Sequence, residues 1–367
     1  MTTRRMLTRK RMLVCLVAVI CGLMPLPSTR MATGSVAAFG QPTARAEAVD
    51  PALTRYTASF IGLFDTVTAI VGLSDSKEAF TQEAQRIHDQ LAEYHQLYDI
   101  YHDYEGLNNL KTINDNAGIA PVQVDRRIID LLLFCRDMAQ HTGGLVDITQ
   151  GSVLALWHQA RTDSIAFPAD AYLPEDTALQ EAALHTGFDK LIIDEAASTV
   201  YLTDPHARLD VGAVAKGYAV EMIARTLPEN RMLSVGGNIR VTGSNVLTGN
   251  PWSAGVQDPE SEEYLHVVHL DGVSIVTSGD YRRYFTVDGV RYGHIIDPRT
   301  GQPGRLWRAV CILCPDSGVA DALSTALYLL PVEEGQKLLD QFGAEAMWMG
   351  HDGENVYSPG FMGYVKN

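Results

Sequence analysis

The sequence is poor in cysteine, with five in 367 residues, and two of these, Cys15 and Cys21, fall in the N-terminal segment. The other three are Cys135, Cys311 and Cys314. That excludes a small domain stapled by disulfides, and a zinc site has no second ligand pair to complete it. Cys311 and Cys314 have redox spacing but belong to an apolar stretch. On a strand, residues three apart face opposite sides, so their pairing is awkward. Long hydrophobic runs are scarce too. The run Met12–Pro27 spans sixteen residues and ends in prolines, whereas a spanning helix wants roughly 20. A bundle of membrane helices is excluded. There is no internal repeat, no Pro- or Ser-rich linker between residues 50 and 367, no Walker A loop and no G-x-G-x-x-G turn.

Basic residues are the most telling shortage. There are 29 Lys and Arg against 44 Asp and Glu, a net charge of -15. Seven of the basic residues (Arg4, Arg5, Arg9, Lys10, Arg11, Arg30 and Arg45) and one acidic residue, Glu47, lie within residues 1–48. The remainder carries 22 basic and 43 acidic groups, a net of -21. Such a body repels phosphate backbones, which excludes a nucleic-acid partner. An anionic ligand would need local help from a metal or from helix termini. Five basic residues ahead of the short apolar run read as an export signal. Small-residue cleavage sites at Ala44-Arg45-Ala46 and Ala46-Glu47-Ala48 lie far from that run, and Ile20 is bulky for a lipid-attachment site at Cys21. The expected organisation is an export signal or membrane anchor with its linker over residues 1–48, then one domain over residues 49–367.

What is present is ample material for a core, at 46% hydrophobic residues. Residues 58–72 read as a β-strand. A long helix follows, with Asp75 and Glu78 as its capping box and Phe80, Ala84, Ile87, Leu91, Tyr94 and Tyr98 at helical spacing. Residues 125–142 predict a second amphipathic helix, closed by Gly143-Gly144. Short strands then dominate, at 190–194, 199–202, 208–211, 232–235, 238–242, 252–257, 264–270, 273–277, 281–287, 290–296 and 307–313. Helices are expected at 215–227, 319–330 and 332–342. Antiparallel strands with helices gathered on one side make an α+β fold.

Four segments carry candidate chemistry. In Leu209–Val220, a strand, a glycine turn and a helix start would place backbone amides and Lys216 together, an arrangement that suits phosphate as well as a plain tight turn. In Ala320–Leu327, Asp321 and Thr325 stand four apart on a helix, so their hard oxygens share a face. They suit Mg²⁺, or a helix start with a back-bonded threonine. His294 ends a strand before the turn Asp297-Pro298-Arg299-Thr300-Gly301, a place for a proton-transfer group or for a structural histidine. Asp147, after Gly143-Gly144 and facing Thr149, binds a ligand or orders its loop.

Their joint order is more informative than any one of them. Leu145-Val-Asp-Ile-Thr149, Leu209-Asp-Val-Gly-Ala-Val-Ala-Lys-Gly217, Ser234-Val-Gly-Gly-Asn238, Thr277-Ser-Gly-Asp-Tyr281, His294-Ile-Ile-Asp-Pro-Arg-Thr-Gly301 and Ala320-Asp-Ala-Leu-Ser-Thr325 follow one another. Together they resemble the ApbE family of FAD:protein FMN transferases across roughly residues 58–345. The resemblance implies a T-fold-like core and a Mg²⁺-dependent enzyme that splits FAD, transfers FMN to a Thr or Ser hydroxyl of another protein and releases AMP. It implies Mg²⁺ ligation by Asp321, Thr325 and the Ala213 carbonyl. It also implies FAD contacts from Phe64, Tyr101, Leu145, Val146, Asp147, Asp210, Lys216 and Ile295. His294 matches the family's acid/base histidine, with Asp297 as the competing base and Lys216 as a charge-neutralising group. Phe64-Asp65-Thr66 departs from the usual Met-Gly-Thr, and the segment from Tyr101 to Asn114 is a few residues longer. Acceptors implied by analogy are flavoproteins of membrane electron-transfer complexes, met on the extracytoplasmic face. An FAD pyrophosphatase releasing FMN and AMP to water, or an exported flavin-binding protein without catalysis, would use many of the same groups.

Overall fold

Strand Thr54–Ile61 pairs antiparallel with strand Val67–Ser74, and a tight turn at Leu63–Asp65 joins them. The single strand expected at 58–72 is therefore a hairpin. Gly62, Phe64 and Asp65 all adopt positive φ and reverse the chain within an otherwise β-favouring stretch. The computed structural model describes residues 53–366, so the export segment read from residues 1–48 lies outside the described residues.

The hairpin forms one edge of an eight-stranded antiparallel sheet. From it the order runs Arg231–Val235, Asn238–Thr242, Ser274–Gly279, Ala309–Cys314, Glu345–Met349 and Asn355–Tyr357. Four helices pack against these strands in parallel order. α1 (Lys77–Tyr98) lies over the hairpin, α6 (Ala215–Ala224) over 231–242, α7 (Ser317–Tyr328) over 274–314, and α8 (Val332–Phe342) over 345–349. The α+β expectation holds.

The helices form for local reasons. Ser76, rather than Asp75, caps α1 by accepting from the Ala79 amide, and Phe80, Ala84, Ile87 and Leu91 bury one stripe. α3 (Arg126–His141) is capped by Asp125 and ends at Gly143 and Gly144, both at positive φ. Ala309–Cys314 is buried along its whole length, with apolar side chains on both faces. Cys135, Cys311 and Cys314 are free thiols in this interior. Burial pushes the thiols of Cys311 and Cys314 up to about 12 and about 11, which leaves no thiolate for redox work.

Three helices were not foreseen: α2 (Leu110–Asp115), α4 (Gly151–Ala166) and α5 (Asp176–Ala183). α4 matters most, because Val153, Trp157 and Ala160 join Leu179, Phe285 and Ile296 in a satellite core under the hairpin Tyr284–Val287/Val290–Gly293. The strand expected at 208–211 is instead an extended segment with one isolated parallel bridge, Arg208 to Gln150, and no strand on its other side among the described residues. Buried Asn114 substitutes for the missing neighbour: its side chain accepts from the Leu209 amide (2.7 Å) and donates to the Leu209 carbonyl (3.0 Å). Asn114→Ala would strand both buried backbone groups, and we expect a loss of about 2 kcal/mol in chemical denaturation.

Candidate active site

The centre of the site is the crossing of α6 and α7. Gly217 lets the two helices touch, since a Cβ there would lie 2.4 Å from the Ser317 carbonyl oxygen and 2.5 Å from Asp321 Cβ. Asp321 is buried, and its Oδ2 accepts from the Gly217 amide at 2.7 Å. In an uninterrupted helix that amide would reach back to the Ala213 carbonyl. The diversion leaves the Ala213 oxygen without an amide donor among the described residues. Thr325 stands one turn beyond Asp321 on the same face of α7, half-buried. One carboxylate, one hydroxyl and one unclaimed carbonyl thus belong to this junction.

Lys216 enters from the first turn of α6. Its Nζ donates to Asn238 Oδ1 and lies 3.4 Å from Asp321 Oδ1. Burial draws the ammonium pKa down, and the Asp321 charge opposes that. Asn238 is itself buried, with Nδ2 left without a partner. The hard oxygens fit a small divalent cation that takes the rest of its shell from phosphate and water, which is how Mg²⁺ is commonly held. No cluster of three His, Cys, Asp or Glu side chains able to hold a metal occurs among the described residues, so the protein would supply only part of a coordination shell.

Asp210 borders this junction. Its Oδ1 accepts from the Gly212 amide (2.9 Å), and burial holds its carboxyl above the usual range. The Asp210 amide donates to the Ile148 carbonyl (2.8 Å), which ties it to the loop carrying Leu145, Val146 and Asp147. Asp147 orders that loop, with Oδ1 accepting from the Thr149 amide (2.8 Å) and hydroxyl (2.7 Å). Val146 is buried, and Leu145 lines a separate cavity of about 330 Å³ with Arg299, Leu330 and Lys337.

Tyr101 is more than half exposed, on a turn organised by buried Asp99, and feels the charge of Asp210. Asp99 Oδ1 accepts from the Tyr101 amide (2.6 Å), and Oδ2 accepts from the Tyr104 hydroxyl (2.8 Å) and from His102 Nδ1 (2.9 Å). The Tyr101 ring packs on His158 of α4, centroids 5.3 Å apart. Burial, then the Asp210 charge, pushes its phenol up to about 12. Phe64 contacts His95 of α1, with ring centroids 5.6 Å apart and its amide 3.3 Å from His95 Nδ1.

His294 follows the hairpin 284–293, open to solvent yet surrounded by protein. Its Nδ1 donates to the Arg283 carbonyl at 3.2 Å, so the neutral ring presents Nε2 as an acceptor. Desolvation first, and then the charges of Arg283, Arg161 and Lys216, push the imidazole down to about 4. Ile295 is buried beside it. Asp297 is engaged elsewhere: both its oxygens are held by the Arg299 guanidinium, at 2.7–3.2 Å. Lys216, Asp321, Asp210, Tyr101 and His294 thus share one neighbourhood of mutual electrostatic influence, whereas Asp297 turns to Arg299 and Phe64 to His95. Sequence reasoning did not single out Asn114, Asp99, His158 or Arg161.

The chain matches known proteins along most of its length. The model of the ApbE family matches residues 63–348. The FAD:protein FMN transferase of Treponema pallidum is 34% identical over 277 residues, covering 70% of this chain and 75% of that protein. The FAD:protein FMN transferase of Vibrio cholerae is 30% identical over 279 residues, covering 73% and 78%. Among solved structures, the ApbE protein of Thermotoga maritima superposes with a TM-score of 0.75 at 29% identity, over 86% of this chain and all of that one. The flavin transferase ApbE of Vibrio cholerae gives 0.70 at 25% identity, over 85% and 99%.

Proposed function

The chain belongs to the ApbE family, and on that premise we propose that it is an FAD:protein FMN transferase that moves FMN from FAD to a Thr or Ser hydroxyl of an acceptor protein, with AMP as leaving group. The acceptor oxygen forms a bond to the FMN phosphorus, the bridging P–O bond to AMP breaks, and the hydroxyl proton passes to a base. The observation that carries this reading is the α6–α7 junction, where the Asp321 carboxylate and the Lys216 ammonium meet 3.4 Å apart beside an unclaimed carbonyl. Mg²⁺ held there by Asp321, Thr325 and the Ala213 carbonyl would neutralise and polarise the pyrophosphate.

The chain's own groups have defined tasks. Lys216, fixed by Asn238, offers a preorganised positive charge that needs no reorganisation when phosphate arrives. Tyr101, on the turn built by Asp99, offers a ring for the flavin, and Leu145 to Asp147, Asp210 and Ile295 shape the remaining contact. His294 is the favoured base: Nε2 is free to accept a proton and the ring is neutral at neutral pH, whereas Asp297 is committed to Arg299.

A pH dependence follows. A base works in its deprotonated form, so activity is lost as pH falls through the His294 pKa. The limb of kcat/KM, which reports the free enzyme, is expected at about 4. The limb of kcat should lie higher, because bound phosphates offset the surrounding cations. A pH–rate profile whose acid limb survives in His294→Gly would transfer the role to another group.

Incubating the protein with FAD, Mg²⁺ and a threonine-bearing acceptor domain tests the reading. The expected result is acceptor carrying FMN, by mass, with an equal amount of AMP. AMP with free FMN and unlabelled acceptor would make it a pyrophosphatase, and FAD recovered intact would make it a binding protein. We further propose export, on the basic, apolar start of the chain, to acceptors in membrane electron-transfer complexes at the extracytoplasmic face. Among the described residues no helix is long and apolar enough to cross a membrane, so attachment would fall to the N-terminal segment. Fractionating cells that carry the full chain and a form lacking residues 1–48 checks this.

A further inference from the structure

α4 and the residue before the hairpin 284–293 bring two further cations to the surroundings of His294. Trp157 Nε1 donates to the Gly301 carbonyl (2.8 Å), and its ring packs on Tyr292 and Phe285 with centroids 6.3 and 6.4 Å apart. This fastens α4 to the hairpin 284–293. One turn past Trp157 stands half-buried Arg161, and Arg283 stands immediately before the hairpin. The Arg283 carbonyl also fixes His294.

Arg161 holds an unusual position in so acidic a body: of the described arginines without a hydrogen-bond or ion-pair partner it alone is half-buried, whereas Arg55, Arg86, Arg136, Arg208, Arg283, Arg291 and Arg305 are exposed. Arg126, Arg127, Arg225, Arg231, Arg240, Arg299 and Arg308 are all held by carboxylates. Among the described residues, neither the Arg161 nor the Arg283 side chain has a hydrogen-bond or ion-pair partner. The packing of Trp157 on Phe285 and Tyr292 brings the α4 turn that carries Arg161 to the hairpin that Arg283 precedes. The Arg283 charge, after burial, draws the Arg161 pKa down, so like charges meet there at an electrostatic cost. Asp210 acts on the neighbouring Tyr101 and His158 but pairs with neither arginine. A group that removes the cost is an anion with several oxygens, because a guanidinium matches phosphate bidentately.

We propose that Arg161 and Arg283 are positioning residues that clamp the phosphates of a nucleotide, working with Lys216 to hold the pyrophosphate of the substrate. The identity of that nucleotide as FAD rests on the flavin-transfer reading; the anion preference does not. The clamp supplies from α4 and the hairpin what the acidic body lacks.

The test is calorimetric binding of ADP and of riboflavin, without metal, to the full chain and to Arg161→Gln, Arg283→Gln and the double variant. Each single change is expected to weaken ADP about tenfold, with the double change weaker still and riboflavin unchanged. In steady-state transfer the same variants should raise KM for FAD and leave kcat nearly unaltered. An ADP loss smaller than about threefold, or an equal loss of riboflavin, overturns the clamp. If the unaltered protein binds ADP through these arginines but labels no acceptor, the flavin-transfer reading fails and the clamp stands. If it labels the acceptor and the variants bind ADP as tightly, the clamp alone fails.

Discussion

Asp321→Asn is expected to yield a folded protein that has lost FMN transfer by about 10³-fold, close to 4 kcal/mol of transition-state stabilisation. The substitution removes one negative charge and little else. An asparagine oxygen can still accept from the Gly217 amide, the 2.7 Å contact that anchors α7 to α6. The thermal midpoint should therefore stay near that of the parent. What disappears is the anionic hard donor and the partner of Lys216, 3.4 Å away. Transfer assays across a Mg²⁺ titration, scored by acceptor mass, decide the matter. Activity within tenfold of the parent at limiting Mg²⁺ would remove Asp321 from the metal-binding role. Thr325→Val should act in the same direction with a smaller loss, since a hydroxyl is the weaker donor.

Gly217→Ala is expected to destabilise the protein by about 3 kcal/mol. Its added carbon would sit 2.4 Å from a backbone oxygen of α7 and 2.5 Å from Asp321 Cβ. Neither is the loose end of a flexible side chain, so the helices must part. With each kcal/mol worth roughly 2–4 °C in a chain of this order, the midpoint should fall by about 6–12 °C. Separation also draws Asp321 away from Ala213 and Lys216, so transfer should drop well below the melting range. An alanine variant with parental stability would mean that the crossing is looser than described.

Much of this was legible because chemistry and periodicity agreed. α1, α3 and α8 announce themselves through repeating apolar positions and end residues such as Asp125 and Gly143. The four-residue spacing of Asp321 and Thr325 is enough by itself to put both on one helix face. Other features depend on distant partners. Phe64 and Asp65 sit at positive φ within a run rich in β-formers, so the turn was hidden inside an apparent strand. The extended segment at Leu209 looks like a strand because it is one in all but a neighbour on one side, where the side chain of Asn114 from 95 residues away takes its place. α4 escaped notice because its apolar residues do not gather on one stripe. With it went the placement of His158 and Arg161. Glu83 shows the same limit, since nothing local says that it will neutralise buried Arg231.

That last pairing has a consequence for how the chain reaches its final form. Arg231 also donates to the Leu73 carbonyl at 2.8 Å, across 158 residues of sequence. The strands that meet there cannot join until most of the intervening chain has been made and its loops closed, and pairing at such separation is slow. A chain delivered N-terminus first, from a ribosome or through a translocation pore, presents the hairpin 54–74 with the inner edge of strand Val67–Ser74 unpaired throughout that interval. An open edge of this kind invites association with other chains. The α6–α7 crossing closes later still, because Asp321 is made well after Arg231 in the order of synthesis. Catalytic competence is thus among the last things the nascent protein acquires, so an interrupted chain would be a sticky sheet before it could be an enzyme.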